Sequence, residues 1–328
     1  MRIWFSLAWK KMTISFRKKR ETGWTAVDAG EDCLVGVTVM PPQAMGSKPR
    51  VVKCGSISGG RFDVATLTGL AKIISVPGCR WTLPLQHKTY NILVVPEPSV
   101  KPDEIDQSLR WAIGSMLDYP VDNASIAWMR IPTDNLIPNR PHEPQLYVMA
   151  ARYEIIVGYN ELFQKARIPL KAIDVRETAQ RNIAALAEKP REGVGLLRVS
   201  PQGVQFTVNF NGELYLDRFF EESLFSASDD VDSRTRACER IVLQVQRSLD
   251  FISRNMSFID VNRILLAPTS DGADLGDLIS RHLPIAVEEL DLASLFDISL
   301  TTELARKEAQ SLHFSALGAA LRFMKSTV

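Results

Sequence analysis

The sequence predicts a mixed α/β protein of two related lobes with a cleft between them. Two observations lead there. A three-strand meander followed by a helix occurs twice, in segments far apart, and further strands and helices follow each copy. The chain is also long enough, at 328 residues with 45% hydrophobic and 23% charged residues, to bury one large or two ordinary cores.

In the first copy, apolar runs at 24–29, 33–40 and 50–57 read as strands, and Phe62, Leu67, Leu70, Ala71 and Ile74 recur at helical spacing. Tyr90–Val95 then reads as a strand, Pro102–Leu117 as a helix, Ala124–Ile131 and Gln145–Ala151 as strands, and Tyr153–Ala166 as a helix. The polar stretch Glu188-Lys189-Pro190-Arg191-Glu192-Gly193 has linker composition and marks the boundary between the lobes. The second copy has runs at 194–199, 203–210 and 213–219 and a helix at 232–253. A strand at Arg263–Ala267 and a helix at Leu275–His282 come next. Within it Val204, Phe206, Val208 and Phe210 alternate with Gln205, Thr207 and Asn209, and Asn211-Gly212 is a strong hairpin signal.

The formal net charge of +1 gives no global field suited to nucleic acid or a polyanionic substrate. Cys33, Cys54, Cys79 and Cys238 form no C-x-x-C pair, which argues against a zinc site or a disulfide framework and fits a reducing cytoplasm. His87, His142, His282 and His313 show no ligand spacing, and no metal is assigned. No window approaches the ~18 apolar residues of a membrane span, so the expectation is a soluble or peripheral protein. Residues 1–20 form a basic leader in which Trp4, Phe5, Ala8, Trp9, Met12 and Phe16 share an arc of roughly 140° on a helix. That pattern suits an anionic membrane surface. A leader without structure, or a true start at Met12, accounts for it equally simply.

Candidate site residues are few. In Trp24-Thr25-Ala26-Val27-Asp28-Ala29-Gly30-Glu31-Asp32-Cys33-Leu34, Asp28 and Gly30 follow an apolar run as in phosphate-binding hairpins, whose backbone N–H groups face an anion. Glu31 and Asp32 place two negative charges where that anion would sit, and Asp28 has the alternative role of stabilising its own turn. Asp217, Arg218, Glu221 and Glu222 read as a solvated strand end. No catalytic triad is legible. In the helix at 102–117, Ile105, Leu109, Ala112, Ile113 and Met116 share the expected core face, whereas Trp111 points among Gln107, Ser108, Gly114 and Ser115. Trp111 is the candidate partner anchor; the alternative is that a neighbouring lobe covers it.

The chain resembles the actin-like assembly proteins of type IV pili, the PilM family and within it more closely the MshI proteins of the mannose-sensitive haemagglutinin (MSHA) pilus. The resemblance rests on the opening meander with "AVDAG", on "DQSLRWAIGSMLDYPVDNASIAWMRIP" and "QLYVMAARYEIIVGYNELFQKARIPLKAIDV", on "ETAQRNIAALAE", on "GELYLDRFF" and on the closing "FSALGAALRF". It implies an actin-like (ribonuclease H-like) fold with a small inserted lobe: residues 21–88 and 169–191 as the first lobe, 89–168 as the insert, and 192–328 as the second lobe. It further implies a cytoplasmic scaffold, peripheral at the inner membrane. Such a scaffold binds the cytoplasmic tail of a PilN-like bitopic partner and meets other components of the pilus platform.

A fold of this kind can hold ATP, and the alternative function is an ATPase or phosphotransferase. The family's first phosphate hairpin reads roughly G-I-D-I-G-S-S-S-V-K. Asp28 and Gly30 match it, while Glu31, Asp32 and Cys33 replace the serines and Val35 the lysine. The second hairpin's D-I-G corresponds to Arg198-Val199-Ser200, followed by Pro201, which has no N–H to offer. Near the adenosine, Thr269, Ser270 and Asp271 replace a glycine pair and leave Gly272 and Gly276. In the first hairpin each exchange removes a donor or cation or adds an anion, and with the second hairpin altered as well the expectation is no cofactor, with ATP and magnesium as the alternative.

Overall fold

The computed structural model describes residues 23–30, 33–44, 46–59, 61–133, 143–222, 224, 231–269 and 273–324. The basic leader lies outside them. In chain order the first half runs β1 (Trp24–Ala29), β2 (Cys33–Met40), β3 (Arg50–Ser58), α1 (Val64–Ile74), β4 (Arg80–Pro84), β5 (Tyr90–Pro96), α2 (Ile105–Ile113), β6 (Ala124–Ile131), β7 (Gln145–Arg152), α3 (Tyr153–Lys165), β8 (Leu170–Asp174) and α4 (Arg176–Ala187). The second runs β9 (Gly193–Ser200), β10 (Gly203–Phe210), β11 (Glu213–Phe220), α5 (Val231–Asn255), β12 (Val261–Leu266), α6 (Ala273–His282), β13 (Ala286–Glu289), α7 (Leu292–Leu295) and α8 (Lys307–Ala319).

The two large sheets have the same topology, β3-β2-β1-β4-β8 and β11-β10-β9-β12-β13. In each, an antiparallel meander continues through two parallel strands. The repeat is therefore a full β-β-β-α-β-α-β-α unit, with β5, α2, β6 and β7 inserted into the first copy as a separate three-stranded sheet, order β5-β7-β6. The fourth strand of the first half is β4, not the Tyr90–Val95 run, which belongs to the insert. The meanders fall close to the runs expected from sequence. Asn211 (φ 53°) and Gly212 (φ 78°) close the β10–β11 hairpin with both residues left-handed, as a two-residue turn of this kind requires.

One face of the first sheet packs Val27, Leu34 and Leu83 against Leu67, Leu70 and Ile74 of α1 and Phe163 of α3. The corresponding face of the second packs Phe206, Val208 and Leu216 against Ile241 and Val245 of α5 and Leu275 and Ile279 of α6. The remaining faces meet across the molecule, and there the terminal helices of the two repeats are exchanged. By packing, α4 lies on β9, β10 and β11 of the second sheet, and α8 lies on β1, β2 and β4 of the first. The expectation from sequence assigned α4 to the first lobe and α8 to the second. Both helices instead belong to one shared layer, with Ala179, Ile183 and Ala184 beside Phe314, Ala316 and Leu317.

This exchange explains β10, which is buried along its whole length although its side chains alternate apolar and polar. Its polar face meets α4 instead of solvent. Gln180 donates from Nε2 to the Leu196 carbonyl (2.8 Å) and to Thr207 Oγ1 (3.1 Å), and Asn209 Nδ2 donates to the same hydroxyl (3.1 Å).

In the insert, α2 covers one face of the small sheet through Ile105, Leu109 and Ile113, against Val95, Leu146, Val148 and Ala150. The helix is shorter than expected. It stops at Ile113, and Gly114–Met116 turns as a 3-10 segment, which leaves Met116 exposed; Ala112, inside the helix, is exposed too, so neither is part of the core face. Gly114 is a poor helix continuer, and a helical wheel extended through it puts Met116 on the wrong side.

The α4–α8 crossing admits no side chain at Gly318. A Cβ there would lie 2.2 Å from the Ala179 carbonyl oxygen, and Asn182 Nδ2 donates to the Gly318 carbonyl at 2.9 Å. Gly318→Ala should therefore destabilise the protein by at least ~2 kcal/mol, near the upper end of overpacking costs because backbone must move. Chemical denaturation of the variant measures it; an unchanged midpoint would contradict the crossing as described.

Candidate functional site

Two concavities flank the shared helical layer. The first is the interlobe cleft, a cavity of about 340 Å³ lined by Asp28 and Gly30 from the β1–β2 turn, Arg198 to Gln202 from the β9–β10 turn, Arg176 at the start of α4, and Ser311 of α8. The structure thus brings Asp28 and Gly30 together with the second hairpin. Glu31, Asp32, Ser270, Asp271 and Gly272 lie outside the described residues.

Asp28 is buried, and its Oδ1 accepts from Arg176 Nη2 at 3.1 Å. Burial of this pair is close to complete on both sides, so the carboxylate charge is neutralised by the guanidinium. A separation of 148 positions along the chain hid the pair from sequence reading. Beside it, the Arg198 guanidinium donates to Ser315 Oγ (2.7 Å) and stands 5.0 Å from the centre of the Phe314 ring. Burial first, and then the neighbouring Arg176, push Arg198 down to about 10; Asp28 opposes the shift. Gly30 uses its own N–H within the turn, donating to the Cys33 carbonyl at 2.8 Å.

These residues do not fit a magnesium nucleotide. The one acidic side chain of the described wall is neutralised, a second guanidinium stands where the resemblance expects an aspartate, and the second hairpin continues into Pro201. A divalent cation here would face two arginines.

Between the cleft and the small lobe lies an acidic pair, buried Glu177 and half-buried Asp217. Arg218 and Glu221 are exposed as the strand-end reading expects, but Asp217 is not solvated: Gln205 Nε2 donates to its Oδ1 at 3.1 Å, and Tyr147 stands nearby. Glu177 at the start of α4 accepts from the Tyr90 hydroxyl at 2.6 Å and is hydrogen-bonded to Gln205 as well. The Arg176 backbone N–H donates to Tyr90 in turn, at 3.2 Å. Burial raises both carboxyls, and Glu177 raises Asp217 further, while Arg176 and Arg218 oppose. The cluster joins the small lobe (Tyr90, Tyr147), α4 and the second sheet (Gln205, Asp217).

A Cys54–Glu303–His313 grouping also assembles in space, with Cys54 Sγ donating to Glu303 Oε1 at 3.0 Å. Burial and that carboxylate push the thiol well above its ordinary range, so Cys54 is no nucleophile. Burial also lowers His313, whose Nδ1 engages the Ala309 carbonyl.

The second concavity is a groove of about 470 Å³ between the small lobe and the first lobe. Its walls are Ser125–Ala127 of β6, Ile173 and Asp174 of β8, Ile156 of α3, and the α4 side chains Thr178 and Arg181. Arg322 and Met324, just past α8, close it. Among the described strands, β6 pairs only with β7 and β8 only with β4, so two sheet edges face one groove. Asp174 is held by Thr178 and Arg322, and the Arg322 guanidinium lies 5.4 Å from the Trp24 ring centre. Sequence reading missed this groove because its walls come from many separate elements. Trp111 lies elsewhere, on the outward side of α2, and is 82% exposed. Among the described residues, no neighbouring lobe covers it.

No protein-family model matches the chain, and comparison with curated proteins gives no match either. Solved structures do match. A chain of the PilM–PilN type IV pilus biogenesis complex superposes with a TM-score of 0.72 at 16% identity, over 93% of this chain and 99% of that one. The fold is actin-like. A Bacteroides thetaiotaomicron protein of actin-like ATPase fold and unknown function gives 0.48 at 10% identity, over 88% and 98% of the two chains. The cytoplasmic domain of EpsL, an inner-membrane component of the Vibrio cholerae type II secretion system, gives 0.46 at 7%, over 75% and 82%. The fold assignment rests on the first of these and on the strand order.

The buried charges make two features of stability testable. The acidic pair has folded pKa values above those of the unfolded chain, so the native state retains protons that the unfolded state releases near pH 4. Stability from this pair is full below that pH and declines as pH rises towards the folded values. Asp217→Asn should flatten the decline and raise the melting temperature at pH 8 relative to the parent, with no gain at pH 4; an unchanged pH profile would count against the pair. Arg176→Met should cost about 3–5 kcal/mol by leaving Asp28 buried and unpaired, and adding Asp28→Leu should recover much of it, as read by urea denaturation.

Proposed function

We propose that this chain is a non-catalytic, actin-fold adaptor that binds the cytoplasmic tail of a PilN-like bitopic protein at an inner membrane, within a type IV pilus assembly of the MSHA kind. The observation that carries the reading is the groove faced by the β6 and β8 edges. An extended segment entering it can complete backbone hydrogen bonds on either edge and bury apolar side chains on Ile126, Ile156 and Ile173. The likeness to a chain of the PilM–PilN complex over nearly the whole length supports the choice of partner. A place in the cytoplasm, against the inner membrane, is part of the same proposal. The charge pattern of the cleft supports an adaptor over an ATPase, because Asp28, the residue that would orient a magnesium ion, is committed to Arg176.

Labelled peptides of the cytoplasmic tails of bitopic proteins encoded beside this chain test the reading by fluorescence anisotropy. One of them should bind saturably, and Ala127→Arg, which fills the groove from an exposed position, should weaken it at least tenfold without lowering the melting temperature. Binding that ignores Ala127→Arg would remove the groove from the proposal. A fluorescent ATP analogue with Mg²⁺ should show no saturable binding in the micromolar range. Micromolar binding lost in Asp28→Asn would favour the ATPase instead.

A further inference from the structure

Five of the ten exposed large apolar side chains among the described residues lie between 94 and 153, in or at the base of the small lobe: Val94, Val100, Trp111, Met116 and Tyr153. This is a minor part of the chain carrying half of the exposed apolar bulk. Trp111 is the extreme case at 82% exposed, and it stands on the side of α2 turned away from the small sheet. The groove lies on the other face of that sheet, where Met149 and Ala151 of β7 line it, so one short tail cannot occupy both places.

The surroundings of Trp111 are acidic. Residues 101–122 hold two basic and five acidic side chains, a net charge of −3. One of the two basic groups is turned inward: Arg110 Nη1 donates to the carbonyls of Val121 (2.9 Å) and Ala124 (3.1 Å) and fastens the loop after α2. Asp103, Glu104, Asp106, Asp118 and Asp122 are all exposed. Glu104 and Gln107 lie two turns and one turn before Trp111 on nearly the same line of the helix. An aromatic face inside an acidic rim attracts cations by charge and by the ring quadrupole, and also offers apolar area.

We propose that the outer face of the small lobe is a second docking surface, independent of the groove, which takes a cationic amphipathic segment of a protein partner with Trp111 as its anchor. The adaptor then has two ports. One receives an extended tail, and the other receives a helix or loop carrying lysine or arginine beside apolar residues. The anchor needs no core contribution from Trp111, because Ile105, Leu109 and Ile113 pack α2 on the sheet.

The test uses the full chain with two fluorescein-labelled 18-residue peptides, one of leucine and lysine at helical spacing and the other of leucine and glutamate. The lysine peptide should bind saturably and more weakly as salt is raised, while the glutamate peptide should not bind. Trp111→Ala should weaken it at least tenfold with an unchanged melting temperature, and so should Glu104→Lys combined with Gln107→Lys. Ala127→Arg should leave this binding intact, which separates failure of this surface from failure of the groove. Equal binding of the two peptides, or indifference to Trp111→Ala, would overturn the proposal. A Trp111-dependent dimer in analytical ultracentrifugation would overturn it in favour of a second copy. Trp111-dependent sedimentation with phosphatidylglycerol vesicles, without peptide binding, would overturn it in favour of lipid.

Discussion

The close crossing of α4 and α8 at Ala179 and Gly318 is the constraint from which both concavities take their shape. The start of α4 carries Arg176 to Asp28 and Glu177 to Tyr90, and its next turn supplies Thr178 and Arg181 to the groove. On its partner, α8 sets Phe314 and Ser315 under Arg198, and the chain just beyond it sets Arg322 and Met324 at the groove. Cleft and groove therefore flank one helical layer. A shift of the crossing would alter both, which is why the lack of a side chain at Gly318 matters more than its distance from either would suggest.

Charge acts differently in the two places. In the cleft, Asp28 is paired with Arg176, and a second guanidinium, that of Arg198, stands beside them. At the junction with the small lobe, burial raises two carboxyls above their ordinary range, with tyrosine hydroxyls and a glutamine amide as their company.

Much of the fold could be read from the sequence because the meanders obey local rules. Alternation in β10 and the Asn211-Gly212 turn are signals carried by neighbouring residues. What escaped was of two kinds. Short strands such as β4 and β8, five residues each, offer too few positions for a period to show. Contacts between distant segments leave no mark on either one: nothing near Asp28 announces Arg176, and nothing near Asp217 announces Glu177. Trp111 was legible as an outlier because its misfit is local. The neighbouring Met116 was misplaced because the helix assumed around it ends at Gly114.

The exchange of α4 and α8 also bears on how the chain is made. The first sheet is complete once β8 has been synthesised, yet the helix that covers its inner face follows more than a hundred residues later. Ala26, Val37 and Val39 share one buried cluster with Phe314, Ala316 and Leu317 of that helix. Closing the sheet is therefore a long-range docking of the kind that makes folding slow. The two halves thus repeat one another in topology but assemble as a single unit, each finished only by a helix from the other.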